Sequence, residues 1–463
     1  AQPRESTPVI RATMVDKSTK KRKRQGQAPN DPVSARFANE YLGYAPRARG
    51  ETLPRERYGF LAPDEFHSRY VEKRQPVVLT HTFDDESELA SASTWTDEFL
   101  RQRCGAGSKV RMELREGGRF GCGVYRDVMF DEFMDLFSNG DSGVYLSAGG
   151  KNETFAAPAR RLVCAGDAKS AREKGLLPLR PSAMPESLVP ADINLWMGRA
   201  AKGEMTSSGL HHDFHDNLYV LVRGEKHFKL YAPRDAGKMY TNKDIRWVHE
   251  NGLINYKCFP STLQDGDVAL EDGETALERR VRKARLVDAN IDDDESDADD
   301  EPGFGEGHDD FDDDVFDGVD DFDELEESIS ADSSSGDGGT TDEEDDGSDT
   351  SDGGAKKVSR DTCDPASFSR VEYDKLEKYP LFKSATCIEV TVRAGEALYL
   401  PAGWFHDVSS GETSAAAGHC AVNYWFNPPP LGEEWGPRRA LWEEDFKRSV
   451  VDKIFRNDGE AAT

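Results

Sequence analysis

Residues 291–350 carry 29 Asp and Glu and no Lys or Arg. A run of this kind cannot bury enough apolar surface to offset the entropy of ordering it. It predicts a disordered acidic insertion over 289–360, and it obliges the rest of the chain to fold as two stretches joined across it. Of the 88 acidic residues, 88 − 29 = 59 lie elsewhere, against 59 Lys and Arg, so the formal charge of −29 belongs to this tract alone. The hydrophobic fraction of 37%, low for a globular chain of 463 residues, has the same origin. A few Phe and Val punctuate the tract. It reads either as a solvated insertion or as a docking segment for basic partners.

The opposite charge gathers near the start, in "DKSTKKRKRQGQ" from Asp16 to Gln27. Residues 1–50 are read as a disordered basic tail, in which this cluster resembles a nuclear localisation signal. Nucleus and/or cytoplasm is the expected location. Seven scattered cysteines without a CxxC pair argue for reduced thiols and against a disulfide framework or zinc finger. No apolar run approaches the length of a membrane span. No membrane partner and no direct nucleic-acid binding are expected.

The folded stretches are then 53–288 and 361–430, followed by a C-terminal helix and tail over 431–463. "DEFHSRYV" predicts a short helix, and "ASTWTDEFLRQRCG" a second, with Thr94 as N-cap and Gly105 as stop. "RDVMFDEFMDLF" has an apolar stripe at helical spacing. "QPVVLTH", "KVRMELRE", "SGVYLSAGG", "INLWMGRA", "NLYVLVRGEKHFKLYAP", "CIEVTVRAGEALYLP" and "HCAVNYWFNPP" read as strands between glycine turns. Short strands punctuated this way predict a mainly β fold with flanking helices, an antiparallel barrel or sandwich.

Between these strands stands "GLHHDFHD". On a strand His211 and Asp213 share a face and His212 takes the other. A His-x-Asp pair offers one imidazole nitrogen and one carboxylate oxygen. His406, in "LPAGWFHDV" after the acidic tract, can supply a third donor. Two histidines and one carboxylate on one face of an octahedron form the facial triad of non-haem Fe(II) oxygenases, with open positions for a cosubstrate and O2. The pair alone also arises by chance in surface turns.

Five ordered pieces sharpen this: "NLWMG", "LHHDFHDNLY", "GEKHFKLYAP", "AGEALYLPAGWFHDV" and "VNYWF", spanning Ile193 to Phe426. With them the chain resembles the JmjC-domain Fe(II)/2-oxoglutarate-dependent oxygenases, closest to their protein-hydroxylase branch. The resemblance implies a double-stranded β-helix of the jelly-roll or cupin type. It implies Fe(II) on His211, Asp213 and His406, with 2-oxoglutarate and O2 as cosubstrates. Lys226, 15 residues after His211, matches the anchor for the distal carboxylate of 2-oxoglutarate. Asn217 and Asn423 match polar residues lining the cosubstrate pocket. Tyr145 and Ser208 match assisting hydroxyls, or are an ordinary core tyrosine and a loop serine.

His212, His215, His227 and His419 are expected in packing roles, Asp407 either orients His406 or is exposed, and Trp404 and Phe405 pack beneath the site. The C-terminal "RRALWEEDFKRSVVDKIF" predicts a helix with Leu441, Trp442, Phe446, Val450 and Ile454 on one stripe. It packs on its own barrel or forms a homodimer contact. The implied function is hydroxylation of a side chain in a protein or peptide substrate, a basic one if the acidic tract docks it, with release of succinate and CO2. The alternatives are a histone lysine demethylase and a non-catalytic scaffold acting through the acidic tract.

Overall fold

The computed structural model describes residues 37–105, 107–114, 124–139, 143–150, 153–199, 206–289, 365–410, 418–431, 435–452 and 454. The basic cluster near the start and the acidic insertion lie outside the described residues.

Seven strands enclose the centre: β1 (Val189–Arg199), β2 (Asp216–Arg223), β3 (Glu225–Tyr231), β4 (Ile388–Arg393), β5 (Glu396–Leu400), β6 (Phe405–Ser410) and β7 (His419–Asn427). The larger sheet has nine strands. Its order is Arg55–Arg57, Val77–Thr80, β5, β2, β7, β1, Val144–Ala148, Lys109–Leu114 and Val124–Met129. The smaller sheet is β4-β3-β6. Every pairing in the two sheets is antiparallel except that of the two edge strands Arg55–Arg57 and Val77–Thr80. This is the cupin arrangement that the family resemblance implies, and it meets the antiparallel barrel or sandwich expected from the strand pattern, with short strands from both sides of the acidic tract interleaved in each sheet.

Strand alternation divides the core in two. Along β2, Leu218, Val220 and Val222 face a layer of helices, whereas Asn217, Tyr219 and Leu221 face the barrel interior. Both faces are covered, which is why "NLYVLV" is nearly all apolar. The helical layer is led by Phe130–Asn139, whose Phe130, Phe133, Met134 and Phe137 are all buried. Gly224, at φ 95°, turns the chain from β2 in the larger sheet to β3 in the smaller one. The "NLYVLVRGEKHFKLYAP" stretch is therefore two strands in two sheets.

Two further expectations are corrected. The cap of the second helix is Thr96, whose side chain accepts from the Phe99 N–H at 3.1 Å, while Thr94 ends a preceding 3-10 turn. The His211–Asp213 segment is not a regular strand. It pairs with β6 through isolated bridges at Ser207–Ser409 and His211–His406, and β2 begins only at Asp216.

Helix α1 (Ala276–Asp288), the last described element before the insertion, was not anticipated. Its signal is the box of Thr275 and Glu278, each capping the other's backbone. Leu277 and Val281 of α1 pack with Val189 and with Trp442 of helix α2 (Trp435–Phe446). Trp442, Phe446, Val450 and Ile454 are buried in the chain's own core. A dimer through α2 would need its other face. Among the described residues no helix is long and apolar enough to cross a membrane.

Candidate metal centre

His211 and His406 face each other across an isolated bridge. The His211 N–H donates to the His406 carbonyl at 3.0 Å, and the His406 N–H returns the bond to His211 at 2.6 Å. Their rings lie 4.3 Å apart, tilted by 55°. Asp213 enters from the same side. Its Oδ1 is 3.9 Å from His211 Nε2, and its Oδ2 is 3.7 Å from His406 Nε2. One ligand atom from each of the three residues lies within 4.8 Å of the others, and among the described residues no further cluster has this property.

The backbone fixes which nitrogen is offered. His211 Nδ1 stands 2.9 Å from the Gly209 carbonyl, and His406 Nδ1 stands 2.9 Å from the Trp404 carbonyl. A carbonyl only accepts, so both Nδ1 atoms carry the proton and both Nε2 lone pairs point at the centre. Burial, with His406 beside it, pushes the His211 pKa down to about 4, so the ring is a neutral ligand. Burial would raise the Asp213 carboxyl, but His406 and His211 outweigh it and hold the group below its ordinary range. A neutral imidazole at His211 and an ionised carboxylate at Asp213 are species a divalent cation can bind. The donor set fits Fe(II).

His212 turns away from the centre, as expected, although its segment is not a regular strand. It is 1% exposed, meets the Tyr256 hydroxyl at 2.7 Å through Nε2, and lies parallel to that ring. His215 stacks on Trp425, His419 packs beside Tyr145, and His227 sits on the outer face next to Glu225. Asp407 is buried rather than exposed, and accepts from Ser207 Oγ at 2.6 Å.

A cavity runs inward from the three ligands. Tyr145, Ser208, Asn217, Lys226 and Asn423 all line it, so every site residue expected from the sequence reaches one chamber. Lys226 is 4% exposed, and its Nζ donates to Ser410 Oγ at 3.0 Å. In register Leu230 pairs with His406 and Lys226 with Ser410, four residues deeper. That is about 13 Å of strand at ~3.3 Å per residue. A separation of this order leaves room for a five-carbon dicarboxylate between Lys226 and the three candidate ligands. Leu398, Leu400, Phe228 and Val408 supply apolar walls.

The two asparagines do more than line the chamber. Trp196 Nε1 donates to Asn423 Oδ1 at 2.8 Å, Asn423 Nδ2 to Asn217 Oδ1 at 3.2 Å, and Asn217 Nδ2 to Asp213 Oδ2 at 3.4 Å. This chain orients the carboxylate ligand from behind. The Ser208 hydroxyl is engaged by the backbone, accepting from the Val408 N–H and donating to the Gly209 carbonyl, both at 2.9 Å.

Sequence reasoning missed Thr206, Tyr219 and Trp425 in the wall and Ser410 beside Lys226. Alternation along β2 and β7 places Tyr219 with Asn217 and Trp425 with Asn423, a signal that was available. It also missed Phe368, whose ring stacks on His211 at 4.6 Å. Phe368 lies close to the C-terminal root of the acidic tract, where no local pattern announces a metal-site residue.

Comparison with known proteins identifies the family. A family model described as a cupin-like domain matches residues 63–432. "JmjC domain-containing protein 4" of Schizosaccharomyces pombe is 27% identical over 473 residues, covering 90% of this chain and 93% of that protein. The human "Bifunctional peptidase and (3S)-lysyl hydroxylase JMJD7" is 26% identical over 240 residues, 52% of this chain and 42% of that one. The Arabidopsis thaliana "Lysine-specific demethylase JMJ32" is 23% identical over 240 residues, 51% of this chain and 42% of that one. The family match takes in His211, Asp213, His406 and the residues lining the chamber, and the chain belongs to the cupin-like JmjC family.

Proposed function

We propose that the protein is an Fe(II)- and 2-oxoglutarate-dependent oxygenase that hydroxylates a side chain of a protein substrate. The observation carrying this is the convergence of His211, Asp213 and His406 on one point, with a buried cation, Lys226, deeper in the same chamber. An Fe(II) ion held by those three residues would supply the coupling of 2-oxoglutarate decarboxylation to oxidation of a substrate C–H bond.

The chain's own part is binding, orientation and exclusion of water. His211 and His406 present Nε2 because their Nδ1 protons are tied to carbonyls. Asn217 steadies Asp213. Lys226 meets the distal carboxylate of 2-oxoglutarate, a charge that would be strongly destabilised in a dry chamber without a partner. Tyr145 and Asn423 stand along the same chamber for the remaining polar contacts. Three protein ligands on one side leave the other side of an octahedral ion open to cosubstrate and O2.

A full ligand set speaks against a purely scaffolding role. The named activities of two relatives, lysyl hydroxylase and lysine-specific demethylase, both fit oxidation of a protein side chain. Hydroxylation is favoured by the 15-residue spacing from His211 to Lys226. The acidic tract favours a basic polypeptide as substrate or partner.

The test is mass spectrometry of basic proteins incubated with enzyme, Fe(II), 2-oxoglutarate and O2. Hydroxylation adds one oxygen atom to the target. Loss of a methyl group instead would replace this function with demethylation, and 2-oxoglutarate left unconsumed would remove the oxygenase assignment.

A further inference from the structure

We infer that a buried ion pair between Arg74 and Asp216 is a positioning device for the metal centre, holding the Asp213 arm and the His406 arm at a fixed separation. The inference rests on the metal-binding function proposed above.

Both side chains are fully buried, at 0% exposure each. Arg74 grips Asp216 with a fork. Nη1 donates to Oδ2 at 2.9 Å and Nη2 donates to Oδ1. The same carboxylate accepts from the Tyr399 hydroxyl at 2.7 Å and from the Ala402 N–H at 2.9 Å. Asp216 opens β2, three residues after Asp213. Ala402 sits in the Pro401–Trp404 turn that feeds β6 and His406. One carboxylate therefore joins the root of one arm to the turn of the other.

The turn completes the circuit. The Gly403 N–H donates to the Asp213 carbonyl at 2.9 Å. The Trp404 carbonyl accepts from His406 Nδ1, and the Trp404 indole N–H donates to the Arg74 carbonyl at 3.1 Å. Hydrogen bonds thus run from the Arg74 guanidinium and carbonyl to both arms of the site.

The backbone at Arg74 points the same way. Its φ is 54°, a left-handed conformation that a non-glycine residue keeps only where its surroundings over-determine it. Here the Tyr41 hydroxyl and the Trp404 indole both donate to its carbonyl, and its guanidinium Nε donates to the Asn251 carbonyl at 2.8 Å. A buried pair of charges is weak evidence for stability, because an apolar replacement is often as stable. A forked, multiply bonded pair does fix geometry. Neither residue touches the ligand atoms, so both are positioning residues.

The experiment titrates Co(II), as a probe of the iron site, into apo-protein by calorimetry and visible spectroscopy. The double variant Arg74→Gln/Asp216→Asn removes both charges while keeping a donor and an acceptor. The control Arg438→Gln/Asp267→Asn neutralises a partly buried pair between helix α2 and the segment before helix α1, away from the three ligands. The first variant should bind Co(II) about 10- to 100-fold more weakly and show a shifted spectrum. The control should keep wild-type affinity and spectrum even if its melting temperature falls as far.

Wild-type affinity and spectrum in the first variant, or equal losses in both, would overturn the inference. If the first variant does not fold, Tyr399→Phe decides. It deletes one bond to Asp216 and should weaken Co(II) binding about 2- to 10-fold, and unchanged binding would overturn the inference. Wild-type protein that fails to bind Co(II) would remove the metal-binding function itself, and the inference with it.

Discussion

The two ends of the chamber are built by different means. At the inner end, Lys226, the second residue of β3, faces inward by strand alternation. Lys226, Phe228 and Leu230 are buried while His227 and Lys229 point out. At the outer end, none of the three candidate ligands depends on a regular strand alone. His211 and Asp213 lie in a bridged segment before β2, and His406 follows a four-residue turn. A single cation facing an anion tolerates small displacements. Three donors converging on one ion do not, and here the backbone ties each histidine and a chain of amides ties the carboxylate. The outer end should therefore be brittle and the inner end forgiving.

The largest effect is expected from the turn at the outer end. Gly403 has φ 75°, and a Cβ there would lie 2.0 Å from the Gly252 carbonyl oxygen. Gly403→Ala costs about 1–2 kcal/mol for the left-handed backbone alone, and the overlap forces the turn away from Asp213. Metal affinity should collapse, which a Co(II) titration of the purified variant measures. Wild-type affinity in that variant would break the contrast between the two ends.

Lys226→Ala should act at the inner end only. A charge-assisted bond in a dry chamber is worth about 1.5–3 kcal/mol, so the apparent affinity for 2-oxoglutarate should fall roughly 10- to 150-fold. Metal binding should stay unchanged. Calorimetric titrations of both ligands into the variant separate the ends, and a parallel loss of metal would show them to be one unit.

The smallest effect is expected from the acidic tract. Closure entropy grows only logarithmically with loop length, so replacing residues 292–354 by a short Gly/Ser linker should leave folding, metal affinity and uncoupled 2-oxoglutarate turnover as in the wild type. If the tract docks basic partners, pull-down of a basic protein at low salt should weaken, while wild-type binding fades as salt is raised. A variant that does not fold would show that the tract supports the barrel.

The contrast between the two ends also explains what the sequence disclosed. Lys226 was legible because alternation along "EKHFKLY" sets it on one face with Phe228 and Leu230, opposite His227 and Lys229. His211 and Asp213 were legible as a pair for the same reason, although the strand imagined for them is only a bridged segment. His406 needed five ordered motifs, since 195 positions separate it from His211 and no periodicity spans that gap. Phe368, Arg74 and Asp216 carried no local signal. Their roles come from contacts across the fold, such as a guanidinium 142 positions from its carboxylate. The same holds for α1, whose capping box is visible only to a reader looking for a helix in an arginine-rich stretch.

The central claim is that His211, Asp213 and His406 together hold the metal that turns over 2-oxoglutarate. It is tested most directly by measuring succinate formed from 2-oxoglutarate in the presence of Fe(II) by wild-type protein, His211→Ala and His227→Ala. His227 lies on the outer face of β3, with its side chain 43% exposed, and serves as the control. Wild type and His227→Ala should form succinate at similar rates, and His211→Ala should form none while remaining folded. Succinate from His211→Ala at the wild-type rate would contradict the account.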